Sequence, residues 1–462
     1  MNKKNIQDDI IVAIATPLGV GGISIVRLSG DGSIDFVNQF FHGKTALSEK
    51  KSHTLSYGNF IDENEIVIDE VLVSIMKAPT SYTTEDIVEI NCHGGTVVTR
   101  KILEILLCAG IRLAEAGEFT KRAFLNGRID LTQAEGIIDM IHAKTDTQAQ
   151  VAVHQMEGNI TKKVREYRDQ LLDLIAQIEM AIDYPDQEDD IIGTANIEDK
   201  LCLLVDDMTA LLKKSEQGKL LREGLEVAIL GKPNVGKSSL LNWLLNENRA
   251  IVTEVAGTTR DTLEEFMNIG GIPIKIVDTA GIRTTTDVVE KIGVEKSKQF
   301  AKSSQCILLL LDYGRPLDEE DREILDFIDR KKTIVLLNKT DLPQQLDVSL
   351  LEKWLDKESI LSLSIKEEKG YHELIKKIED LFIEKEELLP ESVTLGNVRH
   401  KTAMQNCISS LQKASDAIHL EMGEDFVSMD LQEANASLGE ITGDTYDEEI
   451  IHRIFTKFCL GK

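Results

Sequence analysis

Eight residues near the middle of the chain, Gly231-Lys-Pro-Asn-Val-Gly-Lys-Ser238, limit the fold more than any other stretch. They match the pattern GxxxxGK[ST], between an apolar run, Glu226–Leu230, and a helix-like run, Ser239-Leu-Leu-Asn-Trp-Leu-Leu, which is the setting the pattern requires. Glycines there let the backbone curl until successive N–H groups face one anion. Lys237 adds a point charge suited to β- and γ-phosphates, Ser238 a hydroxyl for Mg²⁺, and the helix its N-terminal partial charge. Further short apolar runs at Ile274–Val277, Ile307–Leu311 and Thr333–Leu337 alternate with helix-like segments. Such runs read as buried parallel strands, so the region is expected to be a doubly wound α/β domain.

Three more motifs fall at strand ends, in a fixed order. Asp278-Thr-Ala-Gly281 offers a carboxylate to orient a Mg²⁺ shell and a Gly281 N–H to sense a γ-phosphate. Before it lies Gly257-Thr-Thr-Arg-Asp261, where Thr259 can complete that shell when a triphosphate is present. In Asn338-Lys-Thr-Asp341 the Asp341 carboxylate can accept hydrogen bonds from N1–H and the 2-amino group of guanine. Adenine offers neither donor and would leave that charge unpaired. Ser364-Ile-Lys366 follows at the spacing of a base-supporting loop. One four-residue motif is weak, but this ordered set favours guanine over adenine nucleotides. Ras-like enzymes place a water-positioning Gln just after Asp-Thr-Ala-Gly, whereas this chain has Ile282, which cannot hydrogen-bond. Glu290 is the first candidate to orient water instead; the alternative is an exposed helix carboxylate. The Asn234 amide oxygen suits a monovalent cation.

The flanks differ from this region. Residues 1–121 mix strand-like runs (Ile10–Ala15, Ile23–Leu28, Val67–Met76, Asp86–Asn91) with a helix over Thr96–Ala109 that ends at Gly110. Residues 122–219 carry helical periodicity, as in Leu171, Leu172, Ile175, Ile178 and Ile182. The acidic stretch Asp183–Asp190 reads as a solvated loop rather than a metal site. Helical periodicity resumes over 398–420 and 450–458, so the α/β domain, 220–382, is expected to interrupt a helical domain made of 122–219 and 383–462.

A formal net charge of −27 argues against broad adhesion to nucleic acid or anionic membrane. It leaves room for local patches. Lys121, Arg122 and Arg128, and again Arg399, His400 and Lys401, are either RNA contacts or solvated helix faces. The six cysteines lack CxxC spacing, so neither a zinc site nor a disulfide framework is expected. No membrane span or signal segment is apparent, and the cytoplasm is the expected location.

Together the motifs resemble the tRNA modification GTPase family MnmE, also called TrmE. The flanks carry the resemblance as well: Ala15-Thr-Pro, Gly21-Gly-Ile-Ser-Ile-Val-Arg-Leu-Ser-Gly30, Tyr82-Thr-Thr-Glu-Asp86, His93-Gly-Gly95, the run Gly117–Leu131 and the closing Phe458-Cys-Leu-Gly-Lys462. Ribosome-assembly GTPases, the rival reading, share the nucleotide motifs but not these flanks. The resemblance implies an α/β multidomain protein: an N-terminal folate-binding-like domain that dimerises, an α-helical domain and an inserted Ras-like P-loop G domain.

The resemblance also implies ligands and roles. A tetrahydrofolate derivative, 5-formyl- or 5,10-methylenetetrahydrofolate, would meet Arg27, Glu85, Arg128 and Lys462, with Arg128 standing where some members have Lys. Potassium would be held by Asn234, Thr253, Val255 and Thr258, and Mg²⁺ by Ser238 and Thr259. Glu290 falls on the family's catalytic glutamate. Cys459 matches a cysteine implicated in activity, the alternative being a buried core thiol. GTP would contact Asn234, Val235, Gly236, Lys237, Ser238 and Ser239, then Thr253, Glu254, Val255, Ala256, Gly257, Thr258 and Thr259. It would also meet Asp278, Thr279, Ala280 and Gly281, and around the base Asn338, Lys339, Asp341, Ser364, Ile365 and Lys366. A homodimer would work with the FAD-dependent partner MnmG (GidA). Together they would add an aminomethyl or carboxymethylaminomethyl group to C5 of the wobble uridine of certain tRNAs.

Overall fold

The strand-like runs pair into two separate sheets, and each sheet anchors its own unit. The computed structural model describes residues 9–183, 194–248, 264–269, 272–278, 300–382, 395–445, 448–459 and 461–462. One unit comprises Met1–Ile138, Met156–Ala176 and Leu431–Lys462; the other comprises Asp139–Gln155 and Gln177–Asp430.

In the first unit the strands are β1 (Ile11–Ile14), β2 (Ile23–Ser29), β3 (Phe41–Gly43), β4 (Thr54–Ile61), β5 (Val67–Met76), β6 (Ile87–His93) and β7 (Arg112–Leu113). They lie in the order β3-β4-β5-β6-β2-β1-β7. All neighbours are antiparallel except β1 and β7. Alternation along β5 buries Val71, Val73 and Ile75, and on that face Ile102 and Leu106 of a helix, Thr96–Cys108, complete the core. That helix stops where Gly110 adopts φ 102 and donates its N–H to the Leu107 carbonyl at 3.1 Å. The helix Glu118–Leu125 follows, starting after Gly117 at φ 70. A Cβ on Gly117 would lie 2.5 Å from the Phe455 carbonyl oxygen, so only glycine allows this approach. Phe455 stacks on Phe458 at 5.4 Å, which seats the Phe458–Lys462 segment in this unit.

The second unit's sheet contains β8 (Leu225–Leu230), β9 (Glu264–Ile269), β10 (Ile272–Asp278), β11 (Cys306–Asp312), β12 (Thr333–Asn338) and β13 (Ile360–Ser362), in the order β13-β12-β11-β8-β10-β9. All pairs are parallel except β9 with β10. Successive side chains point to opposite faces. Leu308, Leu310, Ile334 and Leu336 therefore pack with Leu240, Leu244, Leu374 and Ile378 on one side. Ile307, Leu309, Val335 and Leu337 pack with Ala301, Leu325 and Ile328 on the other. Burial on both faces explains the uninterrupted apolar runs and gives the doubly wound arrangement expected from sequence. In the same unit two long helices, Thr194–Glu223 and Val398–His419, lie together, with Cys407 Sγ 3.8 Å from the Met208 sulfur.

The basic clusters require correction. Arg122 is 4% exposed and His400 is buried, so neither forms part of a solvated face or an RNA-facing patch. Cys459 is exposed, which removes the core-thiol alternative. Most of the acidic stretch 183–190 lies outside the described residues. Among the described residues, no group of three or more metal-ligating side chains clusters, and no helix is long and apolar enough to cross a membrane.

Candidate functional site

The phosphate loop leaves the end of β8 and turns into a helix, Lys237–Asn248. Gly231, at φ 140, passes so close to β11 that a Cβ would sit 2.5 Å from the Leu310 carbonyl. Asn234 takes a left-handed φ of 65 and is exposed, while Val235 beside it is buried as an anchor. Gly236, at φ 107, faces Asn338: a Cβ there would lie 2.4 Å from Asn338 Nδ2. Lys237 Nζ donates to the carbonyls of Gly231 at 2.6 Å and Lys232 at 2.8 Å, so its charge is held over the loop. Ser238 and Ser239 are exposed in the first helical turn. A hard oxygen donor there fits a Mg²⁺ ligand beside a phosphate. Asp278 ends β10 in register with Ile229 of β8, which sets its backbone beside the start of the loop.

The loop expected to read the base is locked to the loop expected to hold phosphate. Asn338 donates from Nδ2 to the Val235 carbonyl at 2.7 Å, and its Oδ1 accepts the Ile365 N–H at 3.3 Å. Lys339, at φ 69, pairs through Nζ with Asp312 Oδ2 at 2.7 Å. Asp341 accepts a hydrogen bond from Ser364 Oγ at 3.0 Å, and Lys366 Nζ lies 3.7 Å away. The Ser364 hydroxyl first, then the nearby Lys366 charge, hold the Asp341 carboxyl below the usual carboxylate range. It therefore stays ionised and acceptor-only, as recognition of two guanine donors requires.

Sequence reasoning missed Lys232. It is 8% exposed and reaches Asp318 and, at 2.9 Å, Glu320, where a further helix, Glu319–Phe327, begins. Burial disfavours its charge, but the two carboxylates outweigh that and raise its pKa. Thr253, Glu254, Val255, Ala256, Gly257, Thr258, Thr259, Thr279, Ala280, Gly281 and Glu290 lie outside the described residues.

The first unit holds a cavity of about 460 Å³, lined by Arg27, Tyr82, Glu89, Arg128, Met156 and Lys462 among others. Arg27 and Glu89 face each other across the β2–β6 register, and Arg27 Nε and Nη2 reach Glu89 Oε1 at 2.8 and 2.7 Å. Arg27 Nη1 also donates to the Gly461 carbonyl at 3.2 Å. The Arg128 guanidinium lies over the Tyr82 ring, 4.9 Å from its centroid, and donates to the Tyr82 carbonyl at 3.0 Å. Burial pushes the Tyr82 phenol pKa up, and its hydroxyl is hydrogen-bonded with Thr120 at 2.9 Å. Of the four residues expected to meet a folate, Arg27, Arg128 and Lys462 share this cavity. Glu85 is not among the lining residues; its carboxylate is held by Ser29 Oγ at 2.8 Å and Arg122 Nη1 at 3.1 Å. Glu89 was not foreseen, although a lone acid inside Ile87-Val-Glu-Ile-Asn91 was the available signal.

A family profile described as "GTP-binding protein TrmE N-terminus" matches residues 10–128, and one described as "MnmE helical domain" matches residues 131–459. The tRNA modification GTPase MnmE of Clostridioides difficile is 50% identical over 457 residues, covering 98% of this chain and 99% of that protein. Its namesake in Lactiplantibacillus plantarum is 48% identical, covering 98% of each. That of Acetivibrio thermocellus is 45% identical, covering 99% of this chain and all of its own length. With its nucleotide loops and both flanks matched along nearly their whole length, the chain belongs to the MnmE (TrmE) family of tRNA modification GTPases.

Proposed function

We propose that this GTPase acts in the modification of wobble uridines in tRNA. It would work as a homodimer with the FAD-dependent partner MnmG, adding an aminomethyl or carboxymethylaminomethyl group at C5. The one-carbon unit would come from a tetrahydrofolate derivative bound beside Arg27, Arg128 and Lys462. The observation that carries the folate reading is the cavity of about 460 Å³, where cationic side chains meet an aromatic and apolar wall. Pockets of this volume and mixed lining suit a cofactor-sized ligand. An anionic glutamate tail would meet the cations, and a flat ring the Tyr82–Arg128 stack.

In the G domain, assigned to 220–382 between helical segments 122–219 and 383–462, Ser238 and Thr259 would hold Mg²⁺. Asn234, Thr253, Val255 and Thr258 would hold potassium, and Glu290 would orient the attacking water. Support for the potassium assignment includes Asn234, whose left-handed backbone leaves its side chain exposed at the phosphate loop. The ribosome-assembly alternative leaves the cavity and the N-terminal match without a role.

The deciding experiment is nucleoside mass spectrometry of tRNA from cells lacking the gene. The expected result is loss of the C5-substituted wobble uridine and its return on complementation. Unchanged wobble uridines would overturn the proposal.

A further inference from the structure

Arg122 is drawn inward by three carboxylates. Its Nη1 lies 3.1 Å from Glu85 Oε2 and 3.0 Å from the Asp9 carbonyl, and its Nη2 lies 2.8 Å from Asp9 Oδ1 and 3.1 Å from Glu118 Oε1. Arg112 pairs with two of the same acids, Asp9 at 2.7 Å and Glu118 at 2.6 Å. Among the described residues, three carboxylates meet two guanidinium groups here. Arg122 and Glu118 are 4% and 9% exposed, and buried ion pairs are a poor source of stability compared with apolar packing. The arrangement calls for another purpose.

The neighbouring loop, Tyr82–Asp86, supplies one. Thr84 sits at φ 64, a left-handed conformation that β-branched residues strongly avoid. Such strain persists only where the surroundings over-determine it, and it gathers at ligand sites. Here the surroundings are the helix Glu118–Leu125 and the turn after it. Thr120 holds the Tyr82 hydroxyl, Arg128 the Tyr82 carbonyl, Asn126 Nδ2 the Thr83 carbonyl at 2.7 Å, and Arg122 the Glu85 carboxylate. From the other side Ser29 Oγ reaches Thr83 Oγ1 at 2.7 Å and Glu85 Oε2 at 2.8 Å. The loop so pinned places Tyr82 in the cavity wall, whereas Arg122 does not line the cavity.

We propose that Arg122 is a positioning residue for ligand binding: it stays out of the cavity and, through Glu85, holds the strained Tyr82–Asp86 loop so that Tyr82 stands in the wall the ligand meets. The inference rests on the reading that the cavity takes a reduced folate. It turns a residue of the basic cluster into the internal strut of a binding site.

The test measures 5-formyltetrahydrofolate affinity of the full chain by calorimetry. Arg122→Lys keeps the charge but loses the forked geometry. Ser29→Ala removes the second hold on Glu85 while leaving every ion pair in place, which keeps the test open should Arg122→Lys fold poorly; circular dichroism melts report folding. Each change is expected to weaken binding about tenfold (about 1.4 kcal/mol). In a Glu85→Gln background the same changes should add less than about twofold, since residues acting through one group are not additive. A merely structural role predicts equal losses in both backgrounds, and that result, or unaltered affinity in both variants, overturns the inference alone. No binding by the unaltered chain overturns the folate reading together with it.

Discussion

Gly236→Ala probes the lock between the two nucleotide loops. The native φ of 107 disfavours any residue with a Cβ, and the new methyl would start 2.4 Å from Asn338 Nδ2. Forcing alanine into a sparsely populated backbone region costs about 1–3 kcal/mol. Asn338 must also give way. It would lose its bonds to the Val235 carbonyl and the Ile365 N–H, at 2.7 and 3.3 Å, worth about 0.5–1.5 kcal/mol each. The sum is about 2–6 kcal/mol, paid when the loops assume their nucleotide-binding form. Affinity for a fluorescent GDP analogue should therefore fall by a factor of about 30 or more, taking the lower end of that range. Titration by fluorescence polarisation measures it. Gly314→Ala is the control. Its Cβ would lie 3.2 Å from Leu342 Cδ1, the mobile end of a side chain, so affinity should change by less than about twofold. If Gly236→Ala keeps its affinity within about threefold, about 0.6 kcal/mol, the lock carries no weight and the reasoning is wrong.

Asp341→Ala should lower guanine nucleotide affinity by about a hundredfold or more, because two charge-assisted hydrogen bonds go; equal affinities in the same titration would contradict the base-reading role. Asp9 and Glu118 are both held below their ordinary values of 3.8 and 4.5, the arginine bonds outweighing burial. A depressed carboxylate contributes fully above its unfolded pKa and loses that contribution as pH falls through the folded one. The melting temperature should thus drop below about pH 4.5, and Glu118→Gln should show a flatter acid limb; parallel curves would refute the assignment. Gly461→Ala sets a Cβ 2.3 Å from the Ile14 carbonyl, so Lys462 should leave the cavity and 5-formyltetrahydrofolate affinity should fall about tenfold in calorimetry. Glu290→Ala should leave GTP binding intact while turnover drops by about a hundredfold, and turnover of the unaltered chain should be faster in potassium than in sodium.

Which parts were legible follows from how each residue is covered. β11 and β12 are buried on both faces, so Cys306–Asp312 and Thr333–Asn338 read as apolar runs. The glycine loop was legible because its backbone turns, φ 140 at Gly231 and 107 at Gly236, leave little choice of residue. β4 was missed because its alternation is inverted. Ser56 and Gly58 point inward, Gly58 because the Phe41 ring takes the space a side chain would fill, while Leu55 and Tyr57 are each 65% exposed. β9, Glu-Glu-Phe-Met-Asn-Ile, is an edge strand with polar residues and gave no period to follow. Arg122 looked like surface because two of its three acidic partners, Asp9 and Glu85, lie far along the chain. Only antiparallel registers and helix docking bring such charges together, and neither is written in local sequence.

The bond between Arg27 and Gly461 spans 434 residues. Growth of a chain at roughly 5–20 residues per second puts about 20–90 s between the making of its two partners. The unit that starts with β1 also needs Leu431–Lys462, whereas the other unit draws on nothing beyond Asp430. The GTP-binding sheet is therefore fully synthesised while the sheet that begins the chain still lacks one wall of its cavity. During that interval Ile14 and Phe124 wait without Gly461 and Phe455, a long-range pairing of the kind that slows folding and invites chaperones. The same separation means that a product cut short before residue 431 can carry a finished nucleotide sheet and still lack the Gly461 and Lys462 contacts that close the other site.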